Sequence, residues 1–356
     1  MRKAAIAGGA LGLILLVAAA LLSWWITPSY IARMPGNYDK TRTYDATIRT
    51  LFNPAALASG NLAGAIKTGL PATITETVKV QQTSGNTALV QDTRKIMVSG
   101  SMVGETVSPY ALDRQTLAAV SSHPAGWNVI PAQGLTVSWP LGAKQQNYTG
   151  WVYQTYTTTA LKYVKEVQQG GINTYEYQAT VPPTAIKNPQ LLALLPKSLP
   201  LSLLPRLQAA GLISAANMAS LAKLFPGATS IPLGYTFQDA NTYYVAPGTG
   251  LVVNVSNNEK EMAGIALPGG KVIPLLPVLA YTYHASPASL SAAVNDANSG
   301  SSAITMWGVT LPIIAAAVGF VLLVLAVFLW LRGPSRGRPT GTARPERHPA
   351  PAGGTR

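Results

Sequence analysis

Residues 90–120 read VQDTRKIMVSGSMVGETVSPYALDRQTLAAV, and the alternation within them decides the class of fold. Residues 90–98 mix polar and β-branched side chains. Gly100 and Gly104 break the run, and residues 103–107 resume it with apolar and polar positions alternating. A period of two bounded by glycine belongs to antiparallel strands with one buried face. The stretch closes on Tyr110-Ala-Leu-Asp113-Arg114-Gln-Thr116. There Asp113 is placed to cap a turn by accepting from the backbone two residues on. Asp113 and Arg114 are expected to form an exposed ion pair of little energetic worth.

The pattern repeats outward in both directions. Residues 72–82, ATITETVKVQQ, put Ile74, Val78 and Val80 on one face, and Glu76 falls on that face too. Residues 86–97 offer a partner strand across Thr83-Ser-Gly-Asn, a hairpin-type turn. Residues 41–51 precede this meander, and residues 55–69 read as a short helix or a loop. Residues 131–140 and 147–159 are expected as strands, and they hold the main aromatic concentration: Trp139, Trp151, Tyr153 and Tyr156. Residues 160–169 read as a short helix or a further strand. Residues 173–181 form a strand that stops at Pro182-Pro183. Leucine and proline then crowd residues 186–226, which suit either a helical cap over the sheet or a lid that lies on a membrane. Strands return at 233–245 and 250–255. Here Tyr243, Thr249 and Val253 repeat the spacing of Tyr110, Thr116 and Val120. Residues 271–283 are apolar but broken by Pro274 and Pro277, and residues 285–305 lead on with a Ser/Asn/Gly linker near their end. The fold class is α+β, with a large, β-rich, mostly antiparallel domain over 27–306 that carries the Leu/Pro-rich helical insertion 186–226.

The two ends differ from this domain. Residues 4–26 are an apolar run that follows Arg2 and Lys3 and closes on Trp24-Trp25. Residues 307–330 are a second such run, followed by Arg332, Arg336 and Arg338. Each is long enough to cross a hydrocarbon core of about 30 Å at about 1.5 Å per residue. Tryptophan suits the interface and arginine the cytoplasmic side. A two-pass plasma-membrane protein follows, with anchors at 1–26 and 307–331, both termini cytoplasmic and the main domain extracytoplasmic. Ala18-Ala19-Ala20 would suit signal cleavage, but the apolar stretch exceeds the usual 7–15 or so residues, so an uncleaved anchor is expected. Pro312 sits early in its helix, where proline is tolerated.

The net charge of +13 does not mark a nucleic-acid binder. Eight of the 26 basic residues lie in the two ends, and no basic cluster with interleaved aromatics occurs between them. Residues 332–356 are Pro-, Gly- and Arg-rich and are expected to be a disordered tail. With no cysteine the outer domain is not disulfide-stapled, and at its length it needs no staples.

Catalytic patterns are missing. Of three histidines, His348 is in the tail, and His123 and His284 have no ligand partners at workable spacing. No G-x-S-x-G elbow, Walker loop or dinucleotide fingerprint occurs, and no closely spaced acidic pair suggests glycoside chemistry. Asn147 and Asn254 match the glycosylation sequon. Neither a metal, a cofactor nor an enzymatic activity is expected. The residues singled out for contact with a ligand or partner are Tyr110, Asp113, Arg114, Trp139, Trp151, Tyr153 and Tyr156. Core packing and turn capping are the alternative roles for them.

Gln91-Asp92-Thr93-Arg94, the Tyr110–Thr116 turn and Tyr243-Tyr-Val-Ala-Pro-Gly-Thr249-Gly250 carry a resemblance to the actinobacterial porin PorA family. It covers both anchors and most of the outer domain. The chain departs from the family pattern where Pro247-Gly248 stands in place of an acidic residue before Thr-Gly. A transmembrane barrel needs many amphipathic strands closing in the bilayer, whereas here two helices are the expected spans. The resemblance implies a cell-envelope protein linked to envelope lipid handling. The leading reading is a non-enzymatic factor that binds or helps transfer a lipid or other amphiphile, in contact with the bilayer and with envelope lipid. The second is a scaffold that docks an envelope membrane protein.

Overall fold

The structure, a computed structural model, describes residues 2–61 and 63–332. The expected tail lies almost wholly outside the described residues. The chain divides into two units, residues 27–306 and residues 1–26 with 307–356.

The larger unit is built on strands β1 (Asp39–Phe52), β2 (Ile66–Lys67), β3 (Leu70–Ser84), β4 (Thr87–Val98), β5 (Ser101–Asp113) and β6 (Tyr148–Val152). It continues with β7 (Thr157–Gln169), β8 (Ile172–Ala185), β9 (Ser198–Pro200), β10 (Ser230–Val245), β11 (Val252–Ala266) and β12 (Val272–Ala285), with a short helix, α2 (Pro54–Ala58), between β1 and β2. The strand order is β5-β4-β3-β1-β12-β11-β10-β8-β7-β6, with β2 beside β1 and β9 beside β10. Every pairing between named strands is antiparallel. Residues 160–169 are therefore strand. Residues 131–140 are not: they form a loop whose one backbone bridge to a named strand is made by Leu135.

That loop closes the sheet. Leu112 of β5 bridges Ala119, Ala118 bridges Leu135, and Leu135 bridges Gly150 of β6, so the two edges of the sheet meet through residues 117–136. Side chains confirm the curl. Arg94 on β4 reaches Glu259 on β11 at 3.6 Å, although four strand spacings of about 4.8 Å separate those strands in a flat sheet. The sheet is a barrel, sealed by loop at one seam. Its outer wall is polar: β1 presents Thr41, Asp45, Thr47 and Arg49, and β3 presents Thr73, Lys79 and Gln81. A lipid-facing barrel needs an apolar outer band, which these strands lack.

The two motifs of equal spacing build the same turn twice. Asp113 N donates to Ala118 O (2.9 Å) and Leu117 N to Asp113 O (2.8 Å). Ala246 N donates to Leu251 O (2.9 Å) and Gly250 N to Ala246 O (2.8 Å). Both turns put their eighth residue, Leu117 or Gly250, at positive φ. Only glycine fits the second, because a Cβ on Gly250 would lie 2.1 Å from Trp139 O.

One end of the barrel is covered by the Leu/Pro-rich segment. It folds into helices α3 (Pro189–Leu194), α4 (Leu204–Ala209) and α5 (Ala215–Leu224), each kept short by the prolines. Leu204, Leu207, Ile213 and Leu221 are buried there against Ile231, Phe237, Ile265 and Leu276 of the sheet. The helical-cap reading holds for these contacts. β12 is continuous through Pro274 and Pro277, because its pairing with β1 starts only at Leu279 and both prolines fall beside bulges in the ladder with β11. The linker expected near the end of residues 285–305 is instead part of a helix, α6 (Pro287–Thr305), capped by Ser286, whose side chain accepts from Ser289 N, with Pro287 at its first position. It lies on β11 and β1, where Asp296 pairs with Lys40 (2.9 Å) and Arg42.

The smaller unit pairs α1 (Arg2–Leu21) with α7 (Leu311–Leu331). Gly12 and Gly319 meet backbone to backbone, since a Cβ on either would lie within 2.7 Å of the other's carbonyl oxygen. Their remaining surface is exposed and apolar, as at Ile14 and Phe320. Length and composition fit membrane-spanning helices.

Candidate functional site

Strands of period two have an inner and an outer face, and the inner face of this barrel is unusual in what it carries. Along β10 it runs Tyr235, Phe237, Asp239, Asn241, Tyr243. Along β11 it runs from Ile265 and Ala263 through Glu261 and Glu259 to Asn257. Apolar residues thus stand at the capped end and charged ones in the middle. β3 contributes Glu76, β4 contributes Asp92 and Arg94, and β12 contributes Tyr281 and Tyr283. Between them lies a cavity of about 360 Å³, at the small end of the roughly 300–1,000 Å³ typical of ligand pockets.

Five carboxylates of this interior face one guanidinium. Arg94 pairs with Glu259 and lies over the rings of Tyr283 (4.9 Å) and Tyr281 (5.6 Å). Tyr44 Oη donates to Glu76 Oε2 at 2.6 Å. Asn257 Nδ2 donates to Asp239 Oδ1 (2.8 Å) and to Asn241 Oδ1 (2.6 Å). Crowding and burial act together on the acids. Burial, reinforced by the charge of Glu259, pushes both Asp239 and Glu261 up to about 8. Burial and the neighbouring Glu76 hold the Asp92 carboxyl well above the ordinary carboxylate range. Burial likewise raises the hydroxyls of Tyr44, Tyr243 and Tyr281 well above their usual range.

The polar interior is not fully satisfied. Asp92 Oδ1, Arg94 Nη2, Thr136 Oγ1, Trp139 Nε1, Trp151 Nε1 and Asn257 Oδ1 are buried without a hydrogen-bond partner in the protein. All six residues line the cavity. On the capped side the lining turns apolar, through Val152, Val181, Phe237 and Leu191, and it continues to Leu194, an α3 residue that is 77% exposed. Asn188 sets that helix in place: its Oδ1 accepts from Gln190 N (2.9 Å) and its Nδ2 donates to Tyr153 O (3.2 Å).

The residues singled out from sequence divide into two groups. Tyr110, Trp139, Trp151 and Tyr153 line the cavity. Trp139 is also packed against Tyr177 and Tyr243, with ring centroids 5.2 and 5.1 Å away. Tyr156 packs on Trp151 and Tyr153. Asp113 caps its turn, accepting from Gln115 N (2.9 Å), Thr116 N (2.7 Å) and Asn86 Nδ2 (2.6 Å). The expected exposed ion pair does not form. Arg114 is buried instead, its Nε donating to Met34 O at 2.8 Å, because the turn points the two side chains at different segments.

Sequence reading missed the charged centre. Its signal was present: Val90, Asp92, Arg94 and Ile96 share one parity with Glu76's strand face, and charged residues on the buried parity of a strand need partners. Among the described residues no group of three or more His, Asp or Glu is arranged to hold a metal ion. In comparison with known proteins, a family model described as Porin PorA matches residues 4–328. No curated protein matches.

Proposed function

The chain belongs to the porin PorA family, and on that premise we propose that it is a non-enzymatic membrane protein whose barrel binds an amphiphile. The observation that carries this reading is the two-sided lining of the cavity, with a charged and aromatic interior on one side. On the other side an apolar wall leads out to exposed Leu194. A cavity of about 360 Å³ accommodates a polar head and not a complete lipid, so the apolar part lies along the α3 side. The two apolar terminal helices fit anchorage in the membrane. In this reading they cross the plasma membrane with both termini in the cytoplasm, which holds the barrel at the outer surface where an envelope lipid is handed over. The polar outer wall opposes a pore formed by the strands themselves.

Native mass spectrometry with lipid extraction on the full chain, released in mild detergent, tests the reading. A stoichiometric co-purifying amphiphile is expected. A chain that carries none, and takes up none of the envelope lipids added to it, overturns it.

A second reading, docking onto an envelope membrane protein, is favoured by one feature. Among the described residues the outer edge of β5 at residues 101–108 has no strand neighbour, and Met102, Val103 and Val107 are exposed there. Site-specific photocross-linking from position 102 in intact cells tests it, and a single specific adduct is expected.

A further inference from the structure

The six unpartnered polar atoms around the cavity are of mixed kind. Arg94 Nη2, Trp139 Nε1 and Trp151 Nε1 are donors, Asp92 Oδ1 and Asn257 Oδ1 are acceptors, and Thr136 Oγ1 serves as either. Asn257 and Trp139 are each only 4% exposed, so solvent at the molecular surface does not satisfy them, and a buried unpaired polar group is costly. A ligand that answers all six must both donate and accept.

Charge narrows the class. A phosphate dianion would answer the donors but leave the acceptors Asp92 Oδ1 and Asn257 Oδ1 without a hydrogen. An ammonium would answer the two acceptors, leave three N–H groups unpaired and approach Arg94. Hydroxyl groups donate and accept without charge, and the indole rings of Trp139 and Trp151 in the cavity lining provide apolar surface for the C–H side of a sugar ring. We infer that the barrel interior is a site for an uncharged polyhydroxyl group of saccharide type. The elevation of Asp239 and Glu261 to about 8 agrees with this, since both carboxyls then act as neutral hydrogen-bonding groups at neutral pH. The inference rests on the amphiphile reading only for the source of the sugar, which is either a lipid headgroup or a free saccharide.

Isothermal titration of the full chain in amphipol, with probes whose six-carbon chains keep them monomeric in water, separates these cases. The probes are hexyl maltoside, maltose, hexylphosphocholine, hexyl phosphate and hexyltrimethylammonium. Hexyl maltoside is expected to bind at least tenfold more tightly than any probe with a charged head. Asp92→Asn and Trp151→Phe are each expected to weaken it at least tenfold while circular dichroism and the melting temperature stay unchanged. Tighter binding of a charged-head probe overturns the saccharide assignment and leaves the amphiphile reading standing. Maltose binding as tightly as hexyl maltoside upholds the saccharide and removes the amphiphile. Binding of no probe removes both. Full affinity in both folded variants places the sugar elsewhere and overturns the site.

Discussion

Arg94 shows how single residues set the character of the interior. It is one guanidinium among Glu76, Asp92, Asp239, Glu259 and Glu261, and burial raises the carboxyls of Asp92, Asp239 and Glu261 above the ordinary carboxylate range. The pH dependence follows. Unfolded, Asp239 and Glu261 ionise near pH 4, whereas in the folded chain they hold their protons to about 8. Between those values the folded chain binds more protons than the unfolded one, so stability falls as pH rises. The slope is up to roughly 1.4 kcal/mol per pH unit for each group. Urea unfolding at pH 5 and pH 8 is expected to show this loss, and the double variant Asp239→Asn, Glu261→Gln to flatten it. Asp296 behaves oppositely: burial tends to raise it, but hydrogen bonds from Lys40 and Arg42 hold it below its ordinary value. Its contribution is lost only in acid. At the turn, Asp113→Ala removes the acceptor for two backbone amides and is expected to cost roughly 1–2 kcal/mol in the same assay.

At the scale of elements, two close approaches decide how pieces are held. Gly250 O accepts from Trp139 N (3.0 Å) and Ser138 Oγ (2.7 Å), which ties the β10–β11 turn to the loop that brings Trp139 to the cavity. Gly250→Ala combines a positive φ with a clash against Trp139 O, and is expected to destabilise by roughly 2–4 kcal/mol in urea unfolding. Beside the helical pair, just past the end of α1 and before the start of α7, Ser23 Oγ donates to Gly308 O at 3.1 Å. The cysteine-free background makes a disulfide between Ser23→Cys and Gly308→Cys an unambiguous reporter of helix pairing. Adding Gly12→Leu, which separates the backbones, is expected to lower cross-linking yield several-fold in membranes.

At the scale of the whole strand-rich unit, barrel closure is a claim about distant residues. Arg94 and Glu259 sit four strands apart in the ladder and touch only if the sheet curls. A double-mutant cycle with Arg94→Met and Glu259→Gln is expected to give a coupling of roughly 1–3 kcal/mol, whereas an open sheet gives none.

The sequence by itself determined the strands at 72–82, 86–97, 173–181, 233–245 and 250–255, their antiparallel character, the apolar ends and the turn capped by Asp113. All of these rest on local periodicity, hydropathy and turn chemistry, which are written in neighbouring residues. The tertiary structure alone decided that the sheet closes, that residues 131–140 seal it as loop, and that residues 287–305 are helical. It also decided that Asp92, Arg94, Asp239 and Glu259 face one another. The reason is physical: an alternating strand places a charge on one of two faces, but only the curl of the sheet decides whether that face looks at water or at other charges.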